Sequence, residues 1–132
     1  MDELVGEWSS AASGLHHSVF EDESYSFLAG GDGWYQFSRP DYADLAYFRW
    51  RRTDIPGEIE LTWEAAREIF GGVVTEQHPD PEPTRLTYRV GEEDTPLGGP
   101  TVLLRLHPVV GFAREFGLVS RTPVPVAKGD LR

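Results

Sequence analysis

His16 and His17 are adjacent, and Glu21, Asp22 and Glu23 begin four residues later. These side chains invite a metal or acid–base reading. Neighbouring residues on a strand point to opposite faces, so two consecutive imidazoles share one ion only from a loop. No helix-spaced histidine pair backs them, and the chain has no cysteine. His78 lies among prolines and His107 precedes Pro108. Gly-x-Ser-x-Gly, a phosphate-cradling loop and kinase elements are all missing. The residues therefore name no catalytic group, no metal site and no cofactor. A shaped interior can still accelerate a reaction by holding one substrate conformation, but nothing here signals it.

The remaining chemistry is that of a pocket. Tyr25, Tyr35 and Tyr88 can offer hydroxyls among apolar neighbours, and Arg52 has the fork geometry that grips a carboxylate. What must position them is a set of short alternating runs broken by Gly, Pro and Asp, the pattern of antiparallel β structure. Leu4 to Ser9 reads as a first strand. Tyr25 to Leu28 and Trp34 to Ser38 flank the glycine-rich turn 29–33, a hairpin. Leu45 to Thr53 and Glu58 to Glu64 form a second. There Phe48 and Trp50 share one face with Ile59, Leu61 and Trp63. Arg49 and Arg51 turn to the parity of Glu58, Glu60 and Glu64, which reads as a solvated face of cross-strand charge pairs.

Ala65 to Phe70 reads as a helical turn before Gly71-Gly72, and three alternate prolines make 78–83 an extended loop. Arg85 to Val90 and Thr101 to His107 are two more strands across a loop from Gly91 to Pro100. Phe112 and Phe116, four apart, suit one short helix or a bent strand, and Gly117 to Thr122 closes the sheet. The expectation is one all-β domain over residues 1–122 and a frayed tail over 123–132. Its antiparallel meander hides its edges by closing into an eight-stranded barrel with at most one short helix. A β-sandwich is the alternative.

At 132 residues the chain has the length of one domain, and it buries roughly two-thirds of its unfolded surface. Its net charge of −10 argues against nucleic acid and anionic membrane as partners. The start Met1-Asp2-Glu3 lacks the basic and apolar regions of a signal peptide, and no run is long enough to span a bilayer as a helix. A cytoplasmic protein is expected.

Gly6-Glu7-Trp8 resembles the Gly-x-Trp element in the first strand of lipocalins. Tyr25-Ser26-Phe27 followed by Asp32-Gly33, and the Phe48-x-Trp50 and Ile59-x-Leu61-x-Trp63 runs, are similar to the strands of small bacterial lipocalin-like proteins. The likeness spans most of residues 4 to 106, while the family's late Thr-Asp-Tyr turn has no match. The resemblance implies that Trp8 plugs one end of the barrel beneath a basic side chain, with Arg121 first and Arg105 second as candidates. Gly6, Trp8, Arg121 and Arg105 then have structural roles.

A barrel of this size either packs solid or holds one small ligand. If it holds one, the lining falls to Tyr25, Phe27, Tyr35, Phe37, Phe48, Trp50, Arg52, Leu61, Trp63, Tyr88 and Leu104. The leading expectation is binding of a small apolar or amphipathic molecule. One rival is an immunity or adaptor protein that meets a basic protein partner through an acidic rim at 21–23, 58–64, 76–82 and 92–94. Another is a small-molecule cyclase or isomerase using the barrel as a mould.

Overall fold

The computed structural model describes residues 2–14, 21–79, 82–108, 110–111 and 113–123. His16, His17 and Phe112 lie outside the described residues, as does the tail from 124 onwards. The elements are β1 (Gly6–Ser9), a 3-10 turn (Ser10–Ala12), β2 (Asp22–Phe27), β3 (Asp32–Arg39), β4 (Tyr42–Arg52), β5 (Glu58–Phe70), β6 (Val73–Gln77), β7 (Thr84–Thr95), β8 (Gly99–His107) and β9 (Glu115–Ser120). They form one nine-stranded sheet in the order β4-β3-β2-β1-β9-β8-β7-β5-β6. All pairings are antiparallel, and β4 also pairs with β5. That last pairing joins eight strands into a closed ring, leaving β6 outside it as the hairpin partner of the far half of β5.

Several expected boundaries move. The first strand begins at Gly6, because Asp2 to Val5 forms a turn, with Val5 N–H donating to Asp2 O at 3.2 Å. Ala65 to Phe70 is strand, not a helical turn: the run pairs with Tyr42 to Tyr47 on one side and with β6 from Ala66 onwards on the other. Gly91 to Pro100 is not a long loop, since β7 runs on to Thr95 and β8 starts at Gly99. Ladder hydrogen bonds outweigh the weak local preferences of glutamate, aspartate and alanine in both places. Phe116 lies in β9 rather than in a helix.

The alternation on β4 carries Tyr42, Asp44, Ala46, Phe48 and Trp50 to one face. On β5 a bulge breaks it. Tyr47 opposes Ala65 whereas Phe48 opposes Trp63, so Glu64 is one residue too many. An extra residue reverses side-chain parity beyond it. The interior face of β5 therefore passes from Ile59, Leu61 and Trp63 to Ala66, Glu68 and Phe70.

Inside the ring, aromatic rings touch one another. Phe27 lies 5.5 Å from Phe48 and 5.5 Å from Trp50, and Tyr25 meets Phe116 edge-on at 5.2 Å. Such pairs add roughly 0.5–1.5 kcal/mol each beyond the area they bury. Gly33 makes this packing possible: a Cβ there would stand 2.4 Å from the Phe48 ring and 2.5 Å from Ser26 O. On the outer face the charges pair as the alternation implies. Arg49 bonds Asp32 at 2.8 Å, and Glu60 is held by Arg51 at 3.2 Å and Arg85 at 3.5 Å.

Candidate functional site

The ring has two unlike ends. At one, the segment from Asp2 to Val5 turns across the opening and puts Leu4, fully buried, into the core. Trp8, also fully buried, donates its indole N–H to Leu4 O at 2.9 Å. The Arg121 guanidinium lies 5.5 Å from the indole centroid and donates to Glu3 O and Val5 O. Gly6 has φ +154, and a Cβ there would lie 2.7 Å from Ser120 O, so strand β9 approaches Trp8 only past a glycine. Arg105 is not the cation over Trp8. It pairs with Glu93 across β7 and β8, which holds the Glu93 carboxyl below its usual range.

Arg52 also belongs to this end. Its guanidinium lies 5.1 Å from the Tyr88 ring centroid and is ion-paired to Asp2. In this structure it meets a carboxylate of its own chain, Asp2. Phe27, Phe48, Leu61 and Leu104 are fully buried in the core, with Tyr88 almost so. Trp50 donates to Leu28 O at 3.0 Å.

The other end is set by hairpin register. Glu23 opposes Phe37, Phe37 opposes Asp44, and Asp44 opposes Glu68, so three carboxylates occupy one continuous row. The next row inward runs Tyr25, Tyr35, Ala46, Ala66. Tyr25 and Tyr35 are close, with ring centroids 4.9 Å apart, and Trp63 stands edge-on to Tyr35 at 6.2 Å. Ala46 and Ala66 put two small side chains, directly opposed, beside these aromatic rings. Asp44, Ala46, Trp63, Ala66 and Glu68 are half-buried although they face the interior, so solvent reaches this end.

Its polar groups are specific. Glu23 is 2 % exposed and accepts from the Ala113 N–H at 3.0 Å. The Tyr42 hydroxyl lies 2.8 Å from Asp44 and 3.1 Å from Glu68. The Tyr25 hydroxyl is buried and has no hydrogen-bond partner among the described residues. Burial first, then the nearby Tyr35 and Glu23, push the Tyr25 phenol up. Burial and Glu23 do the same for Tyr35, and burial with the hydrogen bonds to Asp44 and Glu68 for Tyr42. All three phenols therefore stay protonated through the neutral range.

Of the expected lining, the structure brings Tyr25, Tyr35, Phe37 and Trp63 to this open end and places the others in or beside the packed interior. Sequence reading missed Tyr42, Asp44, Ala46, Ala66 and Glu68. For the β4 residues a signal existed, because counting back by twos from Phe48 reaches them. For the β5 residues none did, because the bulge at Glu64 is invisible to alternation.

On the outer face, a groove of about 270 Å³ runs past Arg89, Arg105, His107 and Arg114. Glu93 already occupies its central guanidinium. Of the acidic stretches, Glu60 lies between two arginines, and 92–94 lies in strand β7 with its side chains exposed. Among the described residues no cluster of His, Asp and Glu is arranged to hold a metal ion, and no helix is long and apolar enough to cross a membrane. Comparison of the chain with family models, with curated proteins and with solved structures finds no match.

Proposed function

We propose that the closed ring is a lipocalin-like barrel that binds one small amphipathic molecule at its Tyr42 end, in the recess formed by Ala46 and Ala66. One observation carries this reading: the buried, unpartnered hydroxyl of Tyr25 stands one row beneath half-exposed interior side chains. A buried hydroxyl without a partner costs roughly 1–3 kcal/mol, and folded proteins keep few of them. A ligand entering from the Tyr42 end meets this group after the carboxylate row, with the Tyr35 ring beside it and the Trp63 ring one row deeper. That combination of apolar walls and a few converging polar atoms is the usual anatomy of a small-molecule site.

The packed Trp8 end makes the site a blind recess with one entrance. This supports a ligand carrier or sensor. Native mass spectrometry of the protein purified from its own host tests the reading. A co-purifying small molecule that is lost from an Ala46→Leu variant supports it. A bare polypeptide mass across several growth conditions contradicts it.

A further inference from the structure

On the outer face of the ring acids meet arginines, but on its inner face two acids meet each other. Asp44 and Glu68 are directly opposed across β4 and β5, and like charges so placed destabilise a sheet. Among the described residues neither is ion-paired to a Lys, Arg or His. Arg39, the cation at this rim, lies instead 4.9 Å from the Tyr42 ring centroid. The Tyr42 hydroxyl stands within hydrogen-bond distance of both carboxylates, yet a hydroxyl has a single proton to donate. Glu68 accepts in addition from the Gln77 side-chain amide at 3.4 Å, so each carboxylate has a neutral donor, and what the pair lacks among the described residues is a positive charge. An ammonium group brings three donors and the opposite charge.

The row below adds an independent observation. The Tyr25 hydroxyl is buried without a hydrogen-bond partner among the described residues, and it lies near Tyr35 and Glu23. The Tyr25 row and the carboxylate row are two residues apart along the strands, roughly 7 Å. The ring of Tyr35 in the Tyr25 row, and that of Trp63 one row deeper beside Phe48, suit an apolar stem, and aromatic faces attract a cation.

Resting on the small-ligand reading above, we infer that the recess recognises a small amphipathic amine. Its ammonium sits between Asp44 and Glu68, and a polar atom further along its stem reaches the Tyr25 hydroxyl, one row deeper.

Three isosteric probes test this by isothermal titration calorimetry at neutral pH and low salt: tyramine, its neutral alcohol tyrosol, and the anion 4-hydroxyphenylacetate. Tyramine is expected to bind at least about tenfold more tightly than tyrosol, with the anion weakest, because the charged row favours a cation and repels an anion. The double variant Asp44→Asn, Glu68→Gln is expected to lose that preference and keep tyrosol binding. Both substitutions remove facing like charges, so the variant should fold, which circular dichroism checks. Equal binding of tyramine and tyrosol, or a preference that survives the double variant, overturns the amine and leaves a small-ligand site standing. Failure of all three probes to bind also overturns the amine inference as stated. The host-purified mass spectrum then decides the broader reading on its own.

Discussion

At the Trp8 end of the ring every polar atom of the central residue is answered within the chain. Its indole N–H has Leu4 O, its ring face has Arg121, and the neighbouring Arg52 has Asp2. At the Tyr42 end the same alternation of strands delivers three carboxylates in one row and a buried hydroxyl with no hydrogen-bond partner among the described residues. The first arrangement costs nothing in unmet hydrogen bonds and stabilises the fold. The second is unfavourable for folding alone, and sites that a fold maintains against its own stability are where function is sought.

The largest consequence of this contrast is in stability. Trp8→Ala is expected to cost about 3–5 kcal/mol, the range for a large aromatic removed from a core. Phe70→Ala, at a side chain 61 % exposed on the open end, is expected to cost under about 1 kcal/mol. Urea titration of both variants measures the difference, and equal losses would erase the distinction between the ends.

Alkaline titration sharpens it. Tyr25, Tyr35 and Tyr42 have folded-state pKa values raised above the ordinary 10.0. Above that pH the unfolded chain has shed protons that the folded chain retains, so stability falls as pH climbs past 10.0 and is unaffected by these groups below it. Phenolate absorbance should therefore show Tyr25, Tyr35 and Tyr42 ionising only as the protein unfolds. Ionisation of these three before unfolding would contradict the placement.

Gly33→Ala is expected to cost about 1–3 kcal/mol by forcing a methyl into the Phe48 ring. Tyr25→Phe should act in the opposite direction, raising stability by about 1 kcal/mol as it removes an unbonded buried hydroxyl, while weakening ligand binding. A destabilised Tyr25→Phe protein would mean that the hydroxyl is bonded after all. The smallest effect is expected for Arg52→Ala, under about 1 kcal/mol, since its pair with Asp2 is partly exposed.

Much of this was legible in the chain. Strict alternation from Phe48 to Arg51 and from Ile59 to Trp63 gave the central hairpin, its dry aromatic face and its outer charge pairs. Gly6 and Trp8 were flagged only through the Gly-x-Trp resemblance, and the close approach of Ser120 O to Gly6 became visible with the structure. The open end was hidden for a different reason. Its β5 residues face inward only because Glu64 is inserted in the ladder, and a one-residue bulge leaves no trace in hydrophobicity. Asp44 lay in plain sight on the dry parity of β4, but a charged residue there reads as solvent-facing until the pairing with Glu68 and the hydroxyl of Tyr42 are known.

Access to the interior is the point on which the account turns, and dissolved oxygen reports it without any ligand. Methyl-labelled protein under oxygen pressure should show strong paramagnetic relaxation at the Ala46 and Ala66 methyls. The methyls of Leu4, Ile59, Leu61 and Leu86 should stay nearly unaffected. Alanine methyls as protected as those of Leu61 would mean that the Tyr42 end is sealed, and the proposed site would go with it.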